Sequence, residues 1–388
     1  MKRLVGLTFI FGAAALAWLI LEATLVQRTA TTGEEQLEKI TAQWGSSQTQ
    51  TAPQVTAKVR RGKTAETVSL PVIASRIAVG LNLEQRRVGL LWYNLYDVRF
   101  IARYEIHNGS ASSDVAVQFP LPATDATYTD FIASIGGRRV EATARDRGIG
   151  FVLSPGERTE LDVAYQSRGM GTWTYRFGDG VQSVRDFSLA MDTNFAAIDF
   201  PAHTLLPVRE TRAGKGYRLD WRYQTLLTGD GIGMAFPYPL QPGPLAQRIT
   251  LWAPVALFFY FFVMLVVTTL RGVDLHPINY FFLAASFFAF HLLFAYLVDR
   301  IPLEAAFVIC SAVTLFLTIS YLRLVVGWRF AAIESGIAQL IYLILFSFAL
   351  FNEGWSGLTI TIGAIITLFV TMQATGRIDW SKRLSAQA

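Results

Sequence analysis

Four histidines, one cysteine and a few carboxylates beside apolar runs are the residues of this 388-residue chain best suited to chemistry. An ionisable side chain inside a long apolar run is a functional candidate by default, as a proton relay or ligand. His291 is such a residue. Its neutral imidazole can equally bond across helices to Ser286, Ser311 or Thr314 as structural glue. His276 precedes Pro277, and this pair reads either as a ligand or relay or as a helix start, because proline suits a first turn. Asp299-Arg300 and Asn352-Glu353 sit in short polar hinges, as docking points for another domain or as solvated turns. Glu334 opens a further apolar run, with Arg329 and Arg323 as candidate partners. The four histidines (107, 203, 276 and 291) fall in different segments, so no shared metal site is expected. Cys310 alone forms no disulfide within the chain. No G-x-S-x-G, H-E-x-x-H, Walker loop or Cys-x-x-Cys occurs, so the chain is expected to be no enzyme, with no catalytic residue and no cofactor. The run Gly229–Gly233 is followed by Pro237, Pro239 and Pro242, which makes it a hinge rather than a phosphate loop.

The elements that must carry these residues follow from the apolar pattern. Residues are 52% hydrophobic and 16% charged, too apolar for an ordinary soluble protein and too charged for a pure membrane bundle. Leu4–Val26, Ile249–Leu270, Ile278–Val298, Pro302–Leu322, Phe330–Phe351 and Leu358–Gln373 are apolar runs. At 1.5 Å per residue all but the last reach across a hydrocarbon core of about 30 Å unaided. In lipid each backbone amide needs a partner within the chain, so helices are expected. The first run is too long for a signal-peptide core and reads as an uncleaved anchor. Lys2, Arg3, Arg271, Arg323, Arg329, Arg377, Lys382 and Arg383 collect on one side if six runs span, while the opposite short hinges carry only Arg300. Both termini are therefore expected in the cytoplasm.

Between the first two runs lies a different kind of chain. Thr32–Gln43 has capping-box spacing at Thr32 and Glu35 and reads as a short surface helix. Gly45–Pro53, rich in Ser, Thr and Gln, reads as a linker. Beyond Val55 the period becomes two: Val98, Phe100, Ala102, Tyr104 and Ile106 alternate with Arg99, Arg103, Glu105 and His107, and Ile101 breaks the pattern. Trp173, Tyr175 and Phe177, and then Tyr217, Leu219, Trp221 and Tyr223, alternate in the same way. One buried face per strand explains this. Asn108-Gly109, Gly136-Gly137 and Asp179-Gly180 supply hairpin turns. The expected fold class is thus a six-helix membrane bundle with an all-β, sandwich-like domain of antiparallel sheets between helices 1 and 2, either one unit or two divided near 180–200. The expected divisions are an anchor over 1–26, a juxtamembrane helix and linker over 27–54, the β domain over 55–248, a five-helix bundle over 249–373 and a tail over 374–388. Residues 27–248 hold 25 Lys/Arg against 22 Asp/Glu. Such an Arg-rich sheet can meet anionic headgroups or a protein partner, or it is simply a solvated face. Scattered bases without a module's spacing exclude nucleic acid.

Several stretches resemble the CreD family of bacterial inner-membrane proteins. Leu275-His276-Pro277-Ile278-Asn279-Tyr280 is similar to the family's L-H-P-x-x-Y entry to the third span, and Asp299 falls at its acidic outer position. Glu353 and Ile378-Asp379-Trp380 match its acidic hinge and terminal I-D-W, where Trp380 also suits an interfacial anchor. Arg86-Arg87-Val88-Gly89-Leu90 resembles the E-R-x-x-G-I/L strand. Leu206-Pro207, Arg209, Gly216-Tyr217 and Trp221 resemble the L-P-x-x-R…G-F/Y-x-x-x-W segment. The likeness runs over about residues 80–383. It implies an inner-membrane protein linked to envelope integrity and stress responses, with the β domain in the periplasm. The expected partners are the lipid bilayer and an envelope component or membrane protein. A transporter or channel through the bundle, or a membrane enzyme, are the alternatives.

Overall fold

The computed structural model describes residues 2–61, 64–140, 149–178, 183–227, 229–352 and 354–376. Among these, six helices are long and apolar enough to cross a membrane. They are α1 (Lys2–Trp44), α2 (Pro242–Arg271), α3 (Pro277–Leu297), α4 (Leu303–Val326), α5 (Phe330–Ala349) and α6 (Ser356–Thr375). Their ends follow local chemistry. Pro242 opens α2, and Gly272 at φ 68° closes it with its N–H on Thr268 O, since a left-handed C-cap favours glycine. Helix α1, at 43 residues, is far longer than a bilayer requires. The polar stretch expected as a separate short helix continues it, because no proline interrupts residues 27–44 and Thr31 Oγ1 bonds back to Gln27 O.

Two compact units emerge. The first comprises Met1–Glu34, Gly89–Leu91 and Leu240–Ala388, and the second Glu35–Val88 and Trp92–Pro239. In the first, aromatic and aliphatic side chains of α1–α5 form one buried cluster around Trp18, Leu257, Tyr260, Tyr280 and Phe287. The short Gly89–Leu91 segment is a hairpin tip. Gly89 takes φ 60°, and Leu90, 4% exposed, accepts a bond from Gly243 N at 2.9 Å. A Cβ on Gly243 would meet Thr29 and Leu90 at about 3.0 Å, so glycine is needed for this approach.

The second unit is built of strands β1 (Gln48–Thr51), β2 (Gln54–Arg61), β3 (Thr64–Leu70), β4 (Val72–Val88), β5 (Leu91–His107), β6 (Asp114–Gln118), β7 (Tyr128–Ile135) and β8 (Arg138–Val140). There follow β9 (Ile149–Val152), β10 (Arg158–Met170), β11 (Trp173–Arg176), β12 (Val184–Thr193), β13 (Arg209–Ala213), β14 (Gly216–Leu226) and β15 (Ile232–Met234). An eight-stranded sheet runs β13-β14-β12-β4-β5-β10-β7-β8, beside sheets β3-β2-β6-β9 and β1-β11-β15. Inner faces of all three feed one core that includes Val55, Val117, Phe100, Tyr165, Trp173, Leu189, Trp221 and Met234.

Two expectations fail here for physical reasons, and an alternative left open is resolved. The sheets are not purely antiparallel, because β12 runs parallel to β4 and β1 parallel to β11. That same β12–β4 ladder, with Leu189 opposite Ile77, welds the regions on either side of residues 180–200 into one unit. The supposed linker contains β1, whose Gln48 and Gln50 are fully buried. Composition misled there: the glutamines are inside because each is satisfied. Gln50 Oε1 accepts from Tyr165 O–H at 2.7 Å, while its amide donates to Pro120 O at 3.0 Å. Gln48 Oε1 accepts from Ser167 and its amide donates to Arg168 O. Buried groups left unpaired cost about 1–3 kcal/mol each. Gln50→Ala strands both Tyr165 and Pro120, so we expect a loss of about 2–3 kcal/mol, read as a lower urea midpoint at unchanged slope.

Candidate functional site: an arginine-walled cleft

On the outward face of the eight-stranded sheet lies a cleft of about 630 Å³, within the range of ligand sites. Its floor is a row of small and aliphatic side chains where strand alternation calls for polar ones. Ala190 pairs with Ala78 across β12–β4, Ile101 of neighbouring β5 pairs with Ala164 of β10, and Ala164 pairs with Ile132 of β7. Ile101 and Ile132 are 44% and 47% exposed. Short alanines sink the floor, and longer side chains two positions away on the same face form walls. Arg222, Ser188, Arg76, Arg103 and Asp162 stand along one side, with Arg218 on the other.

Charge in the cleft is mostly paired but loosely held. Arg103 Nε lies 2.6 Å from Asp162 and 3.6 Å from Glu160; these carboxylates push its pKa up. Arg76 meets Asp186 at 3.1 Å, and Arg218 meets Asp192 and Asp220 at 3.6 and 3.9 Å. Arg222, and Arg99 on the neighbouring strip of the same face, have no carboxylate partner among the described residues. Exposed pairs contribute little, so an incoming anion can exchange for these carboxylates. Most of these residues lay outside the sequence candidates. The one available signal was Ile101, the break in the β5 alternation.

The residues singled out from sequence do not converge on this cleft. Trp221 is buried, and its Nε1 donates to Leu205 O at 2.9 Å, stapling the loop that carries half-buried Pro207 onto β14. Arg209 is exposed on edge strand β13, and Arg86 is exposed on β4. Gly89 serves the hairpin turn rather than strand interior.

In the helical unit His276 caps α3, its Nδ1 accepting from Ile278 N at 3.3 Å, and Pro277 fills the first turn. Tyr280 is fully buried with its hydroxyl 3.5 Å from Thr268 Oγ1. His291 is buried, but its expected cross-helix bonds are not formed. Nδ1 lies 2.9 Å from Phe287 O in its own helix, and its ring meets Trp18 edge-on at 5.5 Å. A carbonyl only accepts, so Nδ1 carries the proton. Ser286 and Thr314 instead bond each other: Thr314 Oγ1 donates to Ser286 O at 2.8 Å, and Ser286 Oγ sits 2.8 Å from Thr318 Oγ1. Gln339 Nε2 joins this seam at 2.9 Å from Thr314 Oγ1. It is carried on α5, which contains two π-helical stretches, Phe330–Ser335 and Leu340–Leu345. Glu334 pairs with Arg271 at 2.9 Å rather than with Arg329 or Arg323.

Asp299 is no idle hinge. Its Oδ2 lies 3.2 Å from Arg28 Nη2, and Arg28 also donates to Ala295 O and stacks 4.7 Å over Tyr296. The pair latches α1 to the end of α3. A charged hydrogen bond of this kind stabilises by about 1.5–3 kcal/mol. Asp299→Ala should therefore lower the melting temperature by several degrees, with Arg28→Ala doing the same and the double variant no worse than either. Glu353, Asp379 and Trp380 lie outside the described residues.

Apolar spans of this order and spacing, entered through His276-Pro277 and Tyr280, are where the comparison with families decides. Residues 215–381 match the CreD family model, that of the inner membrane protein CreD. The matched stretch contains β15, α2–α6 and all of β14. The CreD match covers Trp221, His276, Pro277, Tyr280, His291, Asp299, Glu353, Asp379 and Trp380, whereas Arg86, Gly89, Pro207 and Arg209 precede it. Together with six apolar helices, it fits a multi-pass inner-membrane protein. No curated protein matches the chain. Among solved structures, a protein described as nutrient binding, from Legionella pneumophila, is similar at TM-score 0.27 and 9% identity, over 55% of this chain and 75% of that one. A likeness so loose carries no argument.

Proposed function

We propose that this chain is a non-catalytic inner-membrane protein of the cell envelope, acting in envelope integrity and stress response, whose sheet domain binds an envelope component or partner protein. In this reading both termini are cytoplasmic, and residues 27–248 form a periplasmic domain between the first and second spans. The cleft carries the proposal: outward aliphatic residues ringed by guanidinium groups suit holding a ligand rather than making or breaking bonds. The CreD match supports the membrane and envelope setting. A photo-crosslinking side chain at Ile101 in living cells should capture a defined species that the same group at exposed Val152 does not. Absence of any adduct specific to Ile101 would remove the binding role. Reporters fused at Ala388 and near residue 150 should report opposite compartments; finding both on one side overturns the layout.

A transporter reading draws on α5. Its π turns, rare overall but frequent at functional sites, flank the α-helical turn that ends on Gln339, whose buried Oε1 has no hydrogen-bond partner among the described residues. Solute flux into proteoliposomes that is lost on Gln339→Leu would favour it over the binding role.

A further inference from the structure

Dimensions and charge narrow what the cleft can hold. We propose that it binds a single-chain anionic lipid, a lysophospholipid with an acidic headgroup, lying across the strands with its phosphate against Arg222; this rests on the binding role above. The floor crosses five strands, β12, β4, β5, β10 and β7. Neighbouring strands are about 4.8 Å apart, so the apolar row is roughly 19 Å long. One leaflet's share of a hydrocarbon core is about 15 Å, so the row accommodates one lipid chain end to end. Walls stand two residues to either side along each strand, about 13 Å apart at the backbone. Once arginine side chains occupy those walls, one alkyl chain fits between them and two do not.

The two ends of the row differ. At β7 it ends on exposed Ile132. At the other end, on β14, stand Arg218, Asp220 and Arg222. Arg222 is the guanidinium there without a carboxylate partner among the described residues, while Arg218 shares Asp192 and Asp220 at 3.6 and 3.9 Å. A planar guanidinium fork matches a phosphate bidentately, and loosely held Arg218 can turn to join it. Asp162, the other carboxylate of the lining, is tied to Arg103 along the wall and stays clear of the headgroup end. The resulting order, charge at one end and aliphatic surface along the rest, is that of a lipid with one chain.

The test uses the full chain in nanodiscs of zwitterionic lipid. Lysophosphatidylglycerol with a photoactivatable group on its chain is added, and labelled peptides are identified by mass spectrometry. Saturable labelling of the peptides holding Ile101, Ala164 and Ile132 is expected. It should fall at least tenfold in Arg222→Glu, which removes the phosphate partner, and in Ala78→Trp, which fills the floor. Both sites are on the outward face, and unchanged thermal unfolding of each variant separates lost binding from lost fold. Lysophosphatidylcholine should label at least tenfold less, and a fatty acid of equal chain length should not compete at equal concentration. Equal labelling by all amphiphiles, labelling elsewhere, or indifference to both substitutions overturns the proposal. If the lipid fails while Ile101 still captures a species in cells, the lipid assignment falls and the binding role stands.

Discussion

Gly216→Ala is expected to be among the most damaging single substitutions in the sheet unit, costing about 3 kcal/mol or more. A Cβ at this position would lie 1.9 Å from the carbonyl oxygen of Thr193 and 2.5 Å from its carbon. These are backbone atoms of β12 and cannot rotate away. Thr193 is held on both flanks: it pairs with Leu81 of β4, and its Oγ1 accepts from Tyr217 N at 3.0 Å. Relief therefore requires parting β14 from β12, the second and third strands of the eight-stranded sheet counted from its β13 edge, and overpacking that moves backbone costs more than the usual 1–3 kcal/mol. Gly214 is the control. It takes φ 60° in the β13–β14 turn, with nothing within 4 Å of a Cβ, so Gly214→Ala should cost only the left-handed strain of about 1 kcal/mol. Urea unfolding of both variants beside wild type reads the difference. Comparable losses at the two glycines would show that the β14–β12 approach is not the constraint.

What sequence could and could not disclose divides along the same physical line. Helix in the membrane is forced by apolar length and backbone satisfaction, so runs such as Ile278–Val298 and Pro302–Leu322 were readable within a few residues of α3 and α4. Strands with one buried face announce themselves by alternation, as in β5 and β14. Long-range pairing leaves no such local mark. Nothing near Ala190 indicates that β12 will run parallel to β4, some hundred residues earlier. Polar residues can also be interior once every atom is bonded, which hid β1 behind Gln48 and Gln50. Arg28 was invisible for a related reason: its partner Asp299 is 271 residues away. The cleft was half legible. Ile101 stood out as a misplaced apolar residue, but its meaning needed Ala164 and Ile132 beside it.

Intramembrane polar residues fit the same logic. Ser286, Thr314, Thr318 and the amide nitrogen of Gln339 come from three helices and hydrogen-bond one another, which fixes the rotation of α3, α4 and α5. Apolar packing alone specifies such rotation poorly in lipid, where tails compete equally for aliphatic surface. Directional bonds supply the register.

Alkaline pH should unfold the sheet unit cooperatively, because its core holds tyrosines that cannot ionise where they are. Tyr96, Tyr104, Tyr165 and Tyr175 are each no more than 1% exposed, and burial raises all four phenols above their ordinary value of 10. All four hydroxyls are engaged with neutral partners: Tyr96 donates to Thr172 O at 2.8 Å, Tyr165 to Gln50, and those of Tyr104 and Tyr175 lie 3.4 Å apart. The sign follows from where protons remain bound. Above pH 10 the unfolded chain releases them while the folded core keeps them, so stability, intact below pH 10, declines as pH rises toward the folded values. Each tyrosine removes about 1.4 kcal/mol per pH unit, and four remove about 5, comparable with the lower end of a whole domain's stability. A spectrophotometric titration of the 14 tyrosines should therefore split. The four core phenols ionise above the ordinary value of 10, together, in one steep step that coincides with loss of the β-sheet circular dichroism signal. Tyr165→Phe removes one contributor and should make that step less steep, by one proton, whatever it costs in overall stability to leave Gln50 Oε1 without its donor. Smooth titration of every tyrosine near 10 with the sheet intact would mean that these rings are not packed in the core as described.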